Sequence, residues 1–73
     1  SVLDVMVPEK SNVSGSLIRD LEIPKESAIA AIIRDNQFVV PRGGTMIEQD
    51  DHVYFIGPAT AIRNACDMFM GEN

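Results

Sequence analysis

Hydrophobic positions along this chain fall in short runs, and most of these runs have the period or the length of β-strands. Residues 2–7 place apolar side chains on one face at a period of two before Pro8 ends the segment. Residues 28–33 are almost continuously apolar, and their isoleucines and the following Asp35-Asn36 turn signal favour a strand buried on both faces over a helix. The predicted strands are residues 2–7, 28–33, 38–40 and 52–56, with a short extended piece at residues 45–47.

Two other segments have helical spacing. The first is a short helix after the serine N-cap signals of residues 14–16, and it must end before Pro24, whose ring disfavours helical geometry in the preceding residue. The second is the clearest helix of the chain and has a C-terminal stop at Gly71. Its apolar face, at i, i+3, i+4 and i+7, consists of Ile62, Ala65, Cys66 and Phe69. Together these elements predict an α+β fold, a small mixed β-sheet with two helices on one face in the order β-α-β-β-β-α.

The small size of the chain limits how much of itself it can bury. Seventy-three residues, 45% of them hydrophobic, make one domain, and a domain of this size hides about 60% of its chain surface. We assign residues 1–73 to this single domain and expect a piece of a longer protein, because the chain lacks an initiating methionine. Self-association is also expected, through apolar residues that exceed what one face can bury, namely Ala28, Ala30, Ile32, Phe38 and Val40.

Charge, cysteine content and the length of the apolar runs indicate which partners and which cellular environment to expect. Eleven acidic residues stand against six basic ones, for a net charge of −5, and the basic residues form no stripe, so a nucleic-acid partner is not predicted. The single cysteine, Cys66, fits a reducing compartment and excludes an internal disulfide. No apolar run reaches the roughly 18–20 residues that a membrane-spanning helix needs.

The candidate chemical groups do not form a catalytic set, so enzymatic activity is not predicted. His52 is interpreted as the first residue of a strand after an acidic turn, and Cys66 as a small hydrophobe on a helix face. Glu48 and Asp51 are the predicted ligands of a divalent cation such as calcium, because hard cations take carboxylate oxygens. Turn chemistry is the alternative explanation for the acidic residues at this point of the chain.

Two cations flank the isoleucine-rich strand. Arg34 ends this strand immediately before a turn, where its guanidinium could reach an anionic ligand. The alternative is an ion pair with Asp35 or Glu48. Lys25 precedes the same strand, so Lys25 and Arg34 are the predicted ligand-binding residues of a groove between two paired chains.

Several short motifs occur along the chain in a fixed order. They are Gly15-Ser16-Leu17-Ile18, Leu21-Glu22-Ile23-Pro24, Ile33-Arg34-Asp35-Asn36, Phe38-Val39-Val40-Pro41, Thr45-Met46-Ile47 and Asp51-His52-Val53-Tyr54-Phe55-Ile56-Gly57. In this order and spacing the chain resembles, over nearly its whole length, the TrkA-C family, the C-terminal domain of RCK potassium-transport proteins. It departs from the family at Asp50 and at Asn36-Gln37, where glycine is usual, but Asp and Asn also tolerate left-handed turns.

The resemblance implies a regulatory, ligand-sensing and dimerisation domain of a potassium uptake or channel system. The implied partners are a second copy of the chain and a membrane-embedded potassium transporter or channel subunit. The implied location is the cytoplasm, at the inner face of the cell membrane. No cofactor is expected in this chain, whereas NAD or ATP would bind a separate upstream domain. The alternative is a purely structural dimerisation module without a small ligand.

Some members of this family bind cyclic di-AMP at a two-fold interface, through apolar residues with an Arg and an Asn just before the isoleucine-rich strand. The corresponding residues here, 24–28, contain neither, and Glu26 would repel a diphosphate. The resemblance therefore does not predict cyclic di-AMP as the ligand. It leaves a weakly charged ligand in the groove, or a cation near Glu48 and Asp51.

Overall fold

Four β-strands form one sheet in the computed structural model, which describes residues 1–72. The strands are β1 (Val2–Met6), β2 (Ala28–Arg34), β3 (Gln37–Val39) and β4 (His52–Ile56), and their order in the sheet is β1-β4-β2-β3. The α+β class is confirmed, but the mixed sheet is wrong. β4 lies between β1 and β2 and runs antiparallel to both, and β3 runs antiparallel to β2. Every neighbouring pair of these strands is therefore antiparallel. The predicted domain of residues 1–73 extends one residue beyond the described range.

The hairpin between β2 and β3 turns on two residues, as the sequence predicts. Asp35 and Asn36 connect the paired residues Arg34 and Gln37, and their φ angles are 51° and 64°. Positive φ at both central positions is the type I′ geometry, which matches the twist of a two-residue hairpin. Asp50 also has a positive φ, 69°, so the residues that replace glycine adopt the left-handed conformation.

The predicted helix between β1 and β2 is wrong, because the chain there makes turns and one 3-10 helix, Ile18–Asp20. The N–H groups of Gly15 and Ile18 donate to carbonyls at the two ends of residues 45–47, with N···O distances of 2.7 and 3.0 Å. The Ser16 carbonyl, which an α-helix would offer to the Asp20 N–H, accepts the Ile47 N–H at 2.9 Å instead, and the N–H groups of Asp20 and Leu21 bond to carbonyls three residues back. The predicted extended piece at residues 45–47 pairs with this region through one isolated bridge and does not form a full strand.

The C-terminal helix α1 (Ala59–Met70) packs on one face of the sheet. Its predicted apolar face is confirmed and consists of the buried Ile62, Ala65 and Phe69 and the half-buried Cys66. The ring of Phe69 packs edge-to-face on that of Phe55 in β4, with centroids 4.9 Å apart. The buried hydrophobic core consists of Val5, Val7, Val13, Ile32, Ile47, Val53, Phe55, Ile62, Ala65 and Phe69.

The loop after β1 holds the end of α1. The buried Ser11 donates its hydroxyl to the Phe69 carbonyl at 2.6 Å, and the Asn12 N–H donates to the Gly71 carbonyl at 2.8 Å. Both bonds satisfy carbonyls that an α-helix leaves without partners at its C-terminus. At twelve residues α1 is short, and none of the helices within residues 1–72 is long and apolar enough to cross a membrane.

Strand register sorts the side chains of the sheet into rows on two faces. The rows of the inner face, toward α1, are Val5, Val53, Ile32 and Val39, then Leu3, Phe55 and Ile29. The rows of the opposite face, called here the open face, are Met6, His52, Ile33 and Phe38, then Asp4, Tyr54 and Ala31, then Val2, Ile56 and Ala28. Four large apolar side chains on the open face are between 47% and 59% exposed, namely those of Val2, Met6, Phe38 and Ile56.

Two sequence predictions about β2 are wrong in consequence. This strand is buried on one face only, since Ala28 and Ala30 are exposed. Ile32, expected at a dimer surface, is fully buried on the inner face. The reason is that one helix and the loops cover a single side of the sheet, so an apolar strand at its centre still presents alternate residues to the outside.

The substitution Phe69→Ala is expected to destabilise the domain by about 3–5 kcal/mol, because it removes a fully buried ring from the contact with Phe55. The measurement is the free energy of unfolding from urea denaturation followed by circular dichroism. Met70→Ala is the control, since Met70 is the next residue of α1 and is 48% exposed. A Phe69→Ala midpoint equal to that of the control would show that α1 is peripheral to the core.

Candidate functional site

Arg34 and Asp51 form a bidentate ion pair at the end of β2. Arg34 Nε donates to Asp51 Oδ1 at 2.7 Å, and a terminal nitrogen donates to Oδ2 at 2.8 Å. The Asp51 side chain is fully buried, whereas that of Arg34 is 26% exposed. The backbone N–H of Glu48 also donates to Asp51 Oδ2, at 2.9 Å. Both carboxylate oxygens therefore have partners, as a buried charge requires.

Arg34 has further acceptors in the loop before β4. Its guanidinium lies 2.9 Å from Glu48 Oε2 and donates to the Met46 carbonyl at 2.9 Å. The hydrogen bond to Asp51 raises the pKa of Arg34 above its usual value, against an opposing effect of burial, and nearby carboxylates add to the increase. A raised folded-state pKa contributes stability at every pH below the unfolded value, so this contribution is constant around neutral pH.

Three of the four predicted site residues are thus brought together, and the fourth is not. The ion pair between Arg34 and Glu48 is the alternative that the sequence left open, and Asp51 joins it as the main partner. Lys25 precedes the first residue of β2, whereas Arg34 is its last residue. The length of β2 that separates them is about 20 Å at ~3.3 Å per residue. The ligand role of Lys25 and Arg34 stays a prediction, and so does the metal role of Glu48 and Asp51. Within the described part of the chain, no group of three or more His, Cys, Asp or Glu residues is arranged to hold a metal ion.

Lys25 borders a groove of about 470 Å³ between the segment that precedes β2 and the first two turns of α1. The residues that line it are Pro24, Lys25, Glu26, Pro58, Thr60, Ala61 and Asn64. Its two walls meet at Gly57, where φ is 147° and an added Cβ would lie 2.6 Å from the Glu26 carbonyl oxygen. Glycine is therefore required at this position. Lys25 and Glu26 give the groove one positive and one negative side chain.

His52 opens β4, as the sequence predicts, and lies on the open face. Its Nε2 contacts Asp4 Oδ2 on β1, and its ring stacks on Tyr54 with centroids 4.7 Å apart. Sequence reasoning did not single out Asp4, because the contact depends on the register that pairs β1 with β4. The one signal in the nearby sequence is that Asp4 alternates with Leu3 and Val5 of the inner face, which places it on the open face of β1.

Cys66 is half-buried on α1, facing the core. Burial raises the pKa of its thiol, and the negative charges of Asp67 and Asp4 raise it further. The protonated thiol is the less nucleophilic form, which agrees with its interpretation as a small hydrophobe.

The sequence profile of the TrkA-C domain matches residues 2–70. The chain belongs to the TrkA-C family. A Trk system potassium uptake protein TrkA homolog of Archaeoglobus fulgidus is 38% identical over 53 residues, which are 73% of this chain and 12% of that protein. A Trk system potassium uptake protein TrkA of Halomonas elongata is 47% identical over 38 residues, which are 52% of this chain and 8% of that protein. This TrkA-C chain thus spans about a tenth of the length of these relatives.

Solved structures agree with this TrkA-C fold. An RCK domain solved "with cda" has a TM-score of 0.83 and covers 94% of this chain and 97% of its own, and at 17% identity it shows the fold alone. The RCK_C domain dimer of S. agalactiae BusR in complex with c-di-AMP has a TM-score of 0.72 and 26% identity, and covers 93% of this chain and 97% of its own. An α+β domain of this size is therefore a recurring unit among solved RCK structures.

Removal of the Arg34 side chain in this TrkA-C domain should cost about 2–4 kcal/mol of unfolding free energy, because Arg34→Ala leaves Asp51 buried without its countercharge. The expected cost is reduced from that of a fully buried pair because Arg34 is partly exposed. The measurement is urea denaturation. The control is Arg63→Ala, an exposed arginine of α1, which should change the free energy by no more than about 0.5 kcal/mol. Equal effects of the two substitutions would contradict a structural role for the pair.

Cys66 should react with a disulfide reagent such as DTNB more slowly in the folded domain than in urea at the same pH. The reason is that its raised pKa lowers the thiolate fraction and burial limits access. The rate in the folded state should still be rising at pH values where the unfolded thiol has already reached its plateau. A folded-state rate equal to the unfolded rate would contradict this environment for Cys66.

Proposed function

We propose that this chain is a regulatory domain of a potassium uptake or channel system. It pairs with a second copy and conveys the binding of a small ligand to a membrane-embedded potassium transporter or channel subunit. The observation that carries the proposal is the TrkA-C match over residues 2–70, together with potassium uptake proteins among the relatives. The longer protein would place the domain in the cytoplasm at the inner face of the membrane, and an upstream domain would bind any NAD or ATP.

The polar groups of the domain suit regulation better than catalysis. Arg34 is engaged by two carboxylates and a carbonyl, and the Cys66 thiol is held in its protonated form at neutral pH. Neither group has the activated state that a nucleophile or general base needs. These two groups therefore support the proposal of a binding and pairing role over a catalytic one.

The groove around Lys25 is our proposed ligand site. It has one cation and one anion from adjacent residues, Lys25 and Glu26, and apolar walls from Pro24 and Pro58. These features fit a ligand of low net charge with an apolar part. The c-di-AMP complex of the BusR domain makes cyclic dinucleotides the first compounds to test, although Glu26 disfavours a diphosphate.

A second candidate is a dimerisation module without a ligand. It is favoured by the engagement of Arg34, because one of the two predicted ligand-binding cations is already neutralised by Asp51 and Glu48. In that case the sensing function belongs to another part of the longer protein.

Titration of the domain with nucleotides, cyclic dinucleotides and calcium, followed by amide NMR shifts and melting temperature, tests these proposals. A ligand of the groove should shift the amides of residues 24–27 and 57–64 and raise the melting temperature, because it binds the folded state. Lys25→Ala should weaken this binding about 2- to 5-fold, the loss expected for one exposed charge contact. Lys10→Ala, an exposed lysine outside the groove, is the control and should leave it unchanged.

The other outcomes of this titration are equally informative. Calcium-induced shifts confined to residues 48–52 would support the predicted cation site at Glu48 and Asp51 instead of the groove. If none of these compounds perturbs either region, the ligand-sensing proposal for this chain is wrong and the structural module is favoured.

A further inference from the structure

We propose that β1 binds an extended peptide of a partner protein as a fifth strand of the sheet, and that this peptide carries a basic residue between apolar ones. The site is the channel formed by the outer side of β1, called here the β1 edge, and the neighbouring flank of α1. Strand addition to a free sheet edge is a recurring mode of peptide recognition. Its backbone hydrogen bonds provide affinity, and alternate side chains provide specificity.

The β1 edge presents backbone groups in a regular row. β1 is the first strand in the order of the sheet, and in the described part of the chain its one neighbouring strand is β4. The Val7 N–H donates to the Asp51 carbonyl at 2.9 Å, so the odd-numbered residues of this segment direct their backbone groups toward β4. In an antiparallel pair the residues between them direct theirs the other way. The N–H and C=O groups of Val2, Asp4 and Met6 therefore point away from the sheet.

The other edge of the sheet is closed to strand addition. β3 has three residues, and Pro41 follows two positions later. The Val40 carbonyl already accepts the Arg42 N–H at 3.0 Å and the Thr45 hydroxyl at 2.7 Å. By contrast, β1 has five residues in unbroken register with β4, and it contains neither proline nor lysine, two residues that commonly block an edge. β1 is therefore the edge at which another strand can extend the sheet.

α1 provides an apolar wall beside the β1 edge. This helix lies over β1 and β4. Ala61 and Asn64 border the groove on the β2 side, so the opposite flank of the helix, which carries Cys66 and Met70 at i and i+4, lies toward the β1 edge. Met70 is 48% exposed, and Leu3 on the inner face of β1 is 41% exposed. An added strand directs every second side chain toward these apolar groups.

The open-face side of the β1 edge determines which peptide fits. Val2 and Met6 are 58% and 57% exposed on either side of Asp4. The Asp4 side chain is itself 49% exposed, although its Oδ2 contacts His52. A lysine or arginine directly opposite Asp4 makes a favourable cross-strand pair, whereas an acidic residue there is destabilising. The peptide that fits therefore has a basic residue at its centre and apolar residues two positions away on each side.

The surrounding charges disfavour a second β1 as the occupant. Besides burial, the negative charges of Asp67 and Asp4 raise the pKa of the Cys66 thiol, so two carboxylates act on the channel. β1 paired with itself about Asp4 would set two carboxylates opposite each other, and each chain has a net charge of −5. Arg63 is a cation on the same flank of α1, nearer the start of the helix, so one central basic residue suits the channel better than a uniformly basic peptide.

Titration with a synthetic peptide, followed by amide NMR, tests the proposal. The peptide has a central lysine, two valines on each side of it and a threonine at each end. It should shift the amides of residues 2–6 and 63–70 and slow the hydrogen exchange of the Val2, Asp4 and Met6 amides. The expected dissociation constant is below about 1 mM. The same peptide with glutamate in place of lysine should bind at least about 5-fold more weakly. A version N-methylated at the lysine and the outer valines, whose N–H groups face β1, should not bind.

Substitutions at Asp4 separate the backbone bond from the charge. Asp4→Pro removes the central outward N–H of β1 and leaves the bonds to β4 in place, since proline is tolerated where an edge N–H faces solvent. It should abolish peptide binding. Asp4→Ala is the matched control, because it loses the same carboxylate but keeps the N–H, and it should weaken binding about 2- to 5-fold. Asp4→Lys should reverse the preference in favour of the glutamate peptide. Circular dichroism confirms that each variant is folded, and Asp4→Lys decides the matter if Asp4→Pro is not.

Four results would overturn the proposal. The first is no binding of the lysine peptide at millimolar concentration, and the second is binding that shifts amides away from β1 and α1. The third is equal binding of the glutamate peptide, which contradicts a basic partner, or of the N-methylated peptide, which contradicts strand addition. The fourth is protection of the β1 amides that increases with protein concentration alone, because a second copy would then be the occupant.

Discussion

The position of β4 between β1 and β2 is the constraint on which the rest of the domain depends. β4 pairs with a strand on each side, and its side chains point alternately to the two faces of the sheet. The register of these pairings therefore fixes which residues of β1 and β2 face α1. Val53 and Phe55 point inward and align Val5 and Ile32 with the helix. A shift of one residue in either pairing would exchange the buried and exposed sets. The core and the open face are therefore two consequences of a single register.

The ion pair of Arg34 stabilises this register from outside the core. Asp51 immediately precedes β4, and Arg34 is the last residue of β2, so the bidentate bond fixes the two strands at one end. The same carboxylate accepts the N–H of Glu48 and so closes the turn that leads into β4. Arg34, a predicted ligand-binding residue, is thus part of the structural framework. Its geometry leaves little of its hydrogen-bonding capacity for an external anion.

The sequence predicted correctly those elements that are determined by residues close together in the chain. The hairpin turn at Asp35 and Asn36, the stripe of α1 and the start of β4 at His52 each depend on neighbouring residues. The helix before β2 failed because its backbone groups bond to residues 45–47, a partner that no nearby residue indicates. The pairing of Asp51 with Arg34 and of Asp4 with His52 could not be predicted for the same reason, since both depend on strand order. Local secondary-structure propensity fails as a guide where the backbone or a charged side chain bonds to a residue that is distant in the sequence.

The groove and the open face meet at one end of the sheet. Ala28 and Ile56 belong to the last row of the open face, and residues 24–26, which wall the groove, are separated from Ala28 by Ser27 alone. Gly57 follows Ile56 and touches Glu26 so closely that no side chain fits between them. Under the proposed function, a ligand that moved residues 24–26 would press on this row through the contact at Gly57. It alters pairing only if it binds the paired and single forms with different affinity, and pairing then alters ligand affinity by the same factor.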